Sequence, residues 1–340
     1  MLQKPYLNHL GIETDYNAID ALHYSTLKLL TQSVRAFKEK TDEEDNEEDR
    51  ARMAKHFLIG GGVDTLLTDF NSFDSKYISF SGKVAGDKAD LVLRKLVEYS
   101  LDLESISDDD LQNVCHIEGF YVNWKGVSHR KELLKNKEYF EFLQKANGKV
   151  ILDTKSYDAI FKTYYRIING KYTKPFIDNM CNNPKLRVYP QFALVANIMG
   201  IRYKGLLDYC IFNDETSTIT IVDAKTLWKH SNQFPKQYEW LRYGLQAAGY
   251  YLLVKELFPL YQNVEYKFIV ESTNEKLTSP VIYEVSPELM FEELYGNTDK
   301  RKIGFSELIS TYLFHNYTDE WIYDKNVVDS NGIITLTQWS

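Results

Sequence analysis

Asp208, Asp223 and Lys225 are the residues whose types and spacing suit chemistry. Asp208 interrupts the apolar-rich run Ile201–Phe212, which is full of strand formers. A carboxylate buried in such a run needs compensation, either from backbone donors or from a bound cation. Asp223 and Lys225 stand two apart in Thr218–Thr226, so an extended strand points both side chains to one face. Two carboxylates and a lysine at adjacent strand ends suit metal-assisted phosphodiester hydrolysis. The carboxylates take a divalent ion, and the lysine orients water or offsets charge on the pentacovalent phosphate. An Asp-x-Lys pair is also common on solvated strand edges, so the pair alone decides little. The order of parts decides more: a hairpin strand with Asp208, a turn, a strand with Asp223 and Lys225, then a helix with Gln246 and Tyr250.

The elements that must hold these residues follow from periodicity and punctuation. The core is expected over residues 186–285. It holds a hairpin turning at Met199–Gly200, the Asp223 strand, a long helix from Pro235 to Leu257, and strands near Tyr266–Val270 and Val281–Val285. Pro235 suits a first helical turn, and Tyr243, Gln246 and Tyr250 fall on one face at spacings of three and four. Ala247, Ala248 and Gly249 let that helix lie close to a sheet. Upstream, a helix is expected over Ser25–Lys40, with Ser25 as N-cap and Leu27, Leu30 and Phe37 inward. Others are expected over about Arg50–Asp69, Ala85–Leu103, Arg130–Ala146 and Ser156–Ile168, and downstream from Pro287 and over Ser306–Phe314. Gly60, Gly61 and Gly62 cost helix stability, which a kink or the close approach of another backbone or a nucleic acid would explain. Asp108–Asp110 reads as a cap or loop. Trp124 and the cluster His129, Arg130 and Lys131 read as core packing and solvated surface, with nucleic-acid contact as the alternative.

Taken in order, Lys204–Asp208, Ile221–Thr226 and Gln246–Tyr250 resemble the motifs of the PD-(D/E)XK nucleases, within them the RecB-type nuclease domains and phage exodeoxyribonuclease VIII-like proteins. Phe57–Asp69 is similar to that family's glycine-containing helix and Tyr24–Leu30 to its opening helix, so the resemblance covers roughly residues 20–285. It implies an α/β (α+β) fold: a restriction-endonuclease-like core, a central mixed β-sheet flanked by helices, and a helical N-terminal elaboration. It implies catalytic roles for Asp208, Asp223 and Lys225, with metal held by Asp208, Asp223 and the carbonyl of Ala224. Two positions depart from the pattern. Gln191 stands where the family often has glutamate, bringing a carbonyl oxygen without charge, and Asp64 stands where many members have a histidine near the metal. Both are carried as site residues, Gln191 as catalytic and Asp64 as metal-facing. Gln246 and Tyr250 are implied to position substrate or a catalytic carboxylate, and Lys204, Lys229 and Lys236 are taken as further substrate contacts. Mg²⁺ is the implied cofactor, with Mn²⁺ as a substitute. The implied activity is digestion of linear double-stranded DNA from an end to 5′-phosphate products, in phage-type recombination or DNA processing. Ring assembly and an annealing protein that takes the single strand are the implied partners. An endonuclease or single-strand nuclease of the same chemistry, or a catalytically silent DNA-binding module, are the alternatives.

Length and charge agree with that expectation. A chain of 340 residues can bury a large core as one elaborated domain or two. The expected divisions are a polar arm at 1–19, a helical part at 20–150 that contributes to the site and carries an acidic loop at 41–49, a nuclease core at 151–285, and C-terminal helices and tail at 286–340. No run approaches a transmembrane span and no signal-peptide pattern is present, so a cytoplasmic setting is expected, the host's if the protein is phage-encoded. Cys115, Cys181 and Cys210 have no paired spacing, which argues against a disulfide framework, a zinc site or a four-cysteine iron–sulfur cluster. The net charge of −8 comes largely from Asp42–Asp49, which holds seven acids. Residues 145–250 instead carry fifteen Lys and Arg against eight Asp and Glu, a surplus that would draw a polyanion.

Overall fold

The computed structural model describes residues 16–42, 55–300 and 302–333; most of the polar arm and of the acidic run lies outside them. The described residues divide into two compact units: those up to 44 together with those from 166 onward, and those from 45 to 165. The chain opens with α1 (Tyr24–Leu27), a 3-10 turn over Lys28–Thr31, and α2 (Val34–Asp42). The single helix expected from Ser25 is therefore broken. Ser33 Oγ accepts the Ala36 N–H at 2.9 Å and starts a new helix, while Ser25 lies inside α1. Leu27, Leu30 and Phe37 are buried as expected.

The unit from 45 to 165 contains α3 (Lys55–Thr68), α4 (Phe73–Lys76), β1 (Tyr77–Phe80), α5 (Asp87–Glu98), α6 (Asp108–Ile117), α7 (Gly126–Leu133), α8 (Lys137–Ala146), β2 (Val150–Asp153) and most of α9 (Thr154–Asn169). β1 and β2 pair in parallel. The inward faces of α5, α6 and α8, with Leu93, Leu96, Leu111 and Tyr139, supply much of this unit's core. Ser107 Oγ accepts the Asp110 N–H at 3.1 Å and caps α6, placing Asp108–Asp110 in a first turn where the helix dipole favours carboxylates. His129 is buried, and Arg130 is committed to the carbonyls of Leu103 and Ile106 and the carboxylate of Asp108. The close approach foreseen at the glycines is to a side chain: a Cβ at Gly62 would lie 2.4 Å from Ile160 Cδ1 on α9.

The other unit continues with α10 (Lys174–Asn182), β3 (Leu186–Ile198), β4 (Ile201–Asn213), β5 (Thr218–Leu227), α11 (Phe234–Leu241), α12 (Tyr243–Leu257), β6 (Asn263–Ser272), β7 (Val281–Glu284), α13 (Pro287–Tyr295), α14 (Phe305–Thr318) and α15 (Lys325–Asp329). The five strands lie in the order β3-β4-β5-β6-β7, with β5 and β6 parallel and the other pairs antiparallel. This is the mixed sheet flanked by helices that the sequence led us to expect. Met199 and Gly200, with φ of +50° and +89°, close the β3–β4 hairpin in a two-residue turn. Among the described residues no helix is long and apolar enough to cross a membrane.

The long helix expected from Pro235 to Leu257 is two helices. The chain turns through a left-handed Arg242 (φ +59°) between α11 and α12. Tertiary bonds hold this turn: Tyr24 Oη donates to Leu241 O at 2.6 Å, and Arg242 Nη2 donates to Ile303 O at 2.7 Å. α12 then packs tightly across β4 because two glycines face the contact. A Cβ at Gly205 would lie 2.7 Å from the Tyr250 ring, and one at Gly249 would lie 2.5 Å from Tyr203 Oη. Gly249→Ala is therefore expected to destabilise the protein by roughly 1–3 kcal/mol through overpacking. Gly86→Ala, where a Cβ meets nothing within 4 Å, serves as the control and is expected to change little. Denaturant midpoints of the two variants check this.

Candidate active site

β4 and β5 pair from Asn213–Thr218 only as far as Tyr209–Val222, and beyond that they part. The next position in the register sets Asp208 across from Asp223, so both acids stand at the fork. Past it, β5 runs on to Leu227 alongside β6, and β4 stays paired with β3. The parted edge of β4 is covered further along by Leu22, whose N–H donates to Arg202 O (3.0 Å) and whose carbonyl accepts the Lys204 N–H (2.8 Å). The Ala224 N–H, beyond the end of the ladder, donates to Asp208 Oδ2 at 2.7 Å. A side-chain carboxylate thus takes the place of a strand.

Asp223 is only 2 % exposed, and its carboxylate is held from two sides. Gln246 Nε2 on α12 donates to Oδ1 at 3.1 Å and lies 3.3 Å from Tyr250 Oη, while the Lys225 ammonium pairs with Oδ2. The same ammonium lies 4.9 Å from the centroid of the Tyr243 ring, a cation–π arrangement. Burial pushes the Asp223 carboxyl above the usual carboxylate range, against the opposing pull of Lys225 and Gln246. Burial also works against the Lys225 charge, but Asp223 and Asp208 outweigh it and hold the ammonium above the usual lysine range. The cation is fixed beside the acids.

The β3–β4 register, Pro190–Tyr209 and Phe192–Leu207, sets Gln191 across from Asp208, yet the ladder skips that position. Gln191 is left-handed (φ +45°), an uncommon conformation for a non-glycine residue and a strained point in line with both acids. Gln191, Asp208 and Asp223 therefore occupy adjacent places across three strands, and Ala224, Lys225, Gln246 and Tyr250 join them. Lys204 does not serve as a surface phosphate contact. It is 6 % exposed, and its ammonium donates to the carbonyls of Tyr16 (3.0 Å) and Ile19 (2.7 Å), fixing the segment before α1. Lys229, just past β5, and Lys236, on α11, are exposed. Asp64 lies on α3 of the other unit, where Thr68 Oγ1 donates to its backbone carbonyl at 2.8 Å. Sequence reasoning gave Tyr243 no role, although its spacing from Gln246 and Tyr250 already put it on their face.

Among the described residues no three His, Cys, Asp or Glu side chains converge as a metal cage. The donors at the fork are two carboxylates and the Ala224 carbonyl, with Gln191 at the adjoining position of β3. This all-oxygen set fits Mg²⁺, which binds through one or two carboxylates and keeps several waters.

No family model matches the chain, and no curated protein matches it. Among solved structures, the chain is similar to the crystal structure of a candidate exonuclease from Eubacterium rectale, with 12 % identity over 94 % of this chain and 91 % of that one and a TM-score of 0.47.

The ion pair makes a stability prediction of its own. Lys225→Met leaves the Asp223 carboxylate buried without its cation, which is expected to cost roughly 3–5 kcal/mol at neutral pH. Because the folded-state pKa of Asp223 then lies further above its unfolded value, the loss should shrink as pH falls and the carboxyl takes a proton. Unfolding free energies of wild type and variant across the acid range check both the size and the sign.

Proposed function

We propose that this protein is a Mg²⁺-dependent deoxyribonuclease with a PD-(D/E)XK, restriction-endonuclease-like core, hydrolysing linear double-stranded DNA from an end to give 5′-phosphate products. The observation that carries this is the acidic pair at the β4–β5 fork, with the Lys225 cation fixed two residues along from Asp223. Mg²⁺, when bound by Asp208, Asp223 and the Ala224 carbonyl, supplies Lewis-acid activation of water and of the phosphate.

The chain's own residues do the rest. Gln246 Nε2 on Oδ1 and Lys225 on Oδ2 hold the Asp223 carboxylate in one orientation. The Ala224 N–H does the same for Asp208 and leaves the Ala224 carbonyl beside both acids. Lys225, cationic throughout the neutral range, steers the attacking water and offsets charge that builds on the phosphate in the transition state. Gln191, with its left-handed backbone, stands at the β3 position across from Asp208. The basic surplus between residues 145 and 250, with Lys229 and Lys236 exposed, supports a polyanionic substrate. End-dependence, assembly as a ring, hand-over to an annealing protein and a cytoplasmic role in phage-type recombination extend the proposal from the motif resemblance.

Digestion of linear and closed-circular duplex DNA, with Mg²⁺ or chelator, tests it. Wild type is expected to consume linear DNA only and only with Mg²⁺. Asp208→Ala should abolish cleavage, and Lys225→Ala should lower it by about 10²–10³-fold or more. Cutting of circles would replace the exonuclease with an endonuclease; full activity of Asp208→Ala would remove the fork from the chemistry. The pH profile gives a second check. Gln246 pulls the Asp223 carboxyl down, so in Gln246→Leu the acid limb of the rate profile should move to higher pH. An unmoved limb would show that Asp223 ionisation does not control the rate.

A further inference from the structure

A cavity of about 380 Å³ lies where α1 and its 3-10 turn meet the end of α11 and the segment before α14, lined by Lys28, Thr31, Gln32, Trp240, Arg242 and Ile303 among others. That volume is within the range of small-molecule pockets. Among the described residues no acidic side chain lines it. The Lys28 ammonium lies 5.6 Å from the Tyr24 ring centroid and among the described residues has no carboxylate partner, and its half-buried position weakens its hold on the proton. Among the described residues Arg242 also lacks a carboxylate partner: Nη2 donates to Ile303 O, while Nε is buried with no hydrogen-bond partner. The buried carboxylate of this region, Glu293, is taken by Lys302, which also reaches Glu239 at 3.4 Å. Two partly buried cations facing one cavity without an anion are costly, and an anion seated between them relieves that cost.

The walls are fixed in advance. Tyr24 Oη to Leu241 O ties α1 to α11, Thr31 Oγ1 donates to Lys28 O at 2.7 Å, and Arg242 Nη2 to Ile303 O ties the third wall. At the rim, Trp240 offers a large flat surface that is 80 % exposed. An exposed indole beside unpaired cations matches a ligand with an aromatic ring and a phosphate, because bases stack on aromatic faces whatever their identity. We propose that this cavity binds a nucleotide, its phosphate between Lys28 and Arg242 and its base on Trp240. The source is either a free nucleoside monophosphate or one nucleotide of a nucleic-acid strand. Arg242, which lines the pocket, directly precedes Tyr243, whose ring lies 4.9 Å from the Lys225 ammonium at the fork.

Calorimetric titration in the presence of chelator tests this apart from any cleavage chemistry, so failure here leaves the nuclease proposal standing, and the reverse. The probes are thymidine 5′-monophosphate, thymidine and oligothymidylate, against wild type, Lys28→Glu and Trp240→Ala, with melting temperatures to confirm folding. Thymidine 5′-monophosphate is expected to bind wild type, to bind better than thymidine, and to lose at least about tenfold in affinity in each variant, the size of one charge-assisted hydrogen bond or one stacked base. Displacement of the mononucleotide by oligothymidylate would assign the pocket to a strand; retention beside a bound strand would assign it to a separate nucleotide. No binding of the monophosphate to wild type, equal binding of thymidine, or undiminished affinity in both folded variants would overturn the proposal.

Discussion

The hydrogen bond from the Ala224 N–H to the Asp208 carboxylate holds open a fork that a continuous ladder would close. Everything else at the site depends on that parting of β4 and β5. Were the two strands paired past Tyr209–Val222, the Ala224 N–H would be taken by backbone and the space before Asp208 and Asp223 would be filled. The parted strands must then be supported separately. β5 leans on its parallel partner β6, and the free edge of β4 is covered by Leu22 and pinned by the buried Lys204. The segment before α1 is therefore part of the support of the site, although it lies far from the acids in sequence.

α12 completes the constraint from one face of the sheet. The close approach permitted by Gly205 and Gly249 brings Gln246 and Tyr250 within reach of Asp223, and the left-handed turn at Arg242 sets where the helix begins. A helix continuing unbroken from Pro235 would follow a different path and present Tyr243 elsewhere. The turn instead puts the Tyr243 ring against the Lys225 ammonium, so one cation is held by carboxylates and an aromatic face at once. Burial destabilises the Asp223 charge while that cation restores it, the balance expected where a carboxylate is kept ready for a ligand.

The parts of this arrangement that were legible in the sequence are those set by local pattern. Alternation gave the shared face of Asp223 and Lys225, the Met199–Gly200 pair gave the hairpin, and the spacing of Gln246 and Tyr250 gave the helix face that meets Asp223. What escaped is set by contacts distant in sequence. Nothing near Arg242 marks it as left-handed; the bonds that hold the turn come from Tyr24 and to Ile303. Lys204 reads as a basic surface residue until the carbonyls of Tyr16 and Ile19 are placed over it. The break at Ser33 was locally encoded, since serine is a favoured cap, but the apolar spacing of Leu27, Leu30 and Phe37 continues across it and conceals it.

The central claim is that the forked acids form a divalent-metal site. Manganese binding followed by electron paramagnetic resonance, on wild type and on Asp208→Asn, tests it most directly. The account predicts saturable Mn²⁺ binding to wild type that is lost or weakened at least about tenfold when the one carboxylate becomes an amide, with the fold intact. Binding of equal strength in Asp208→Asn, or no saturable binding to wild type, would contradict it.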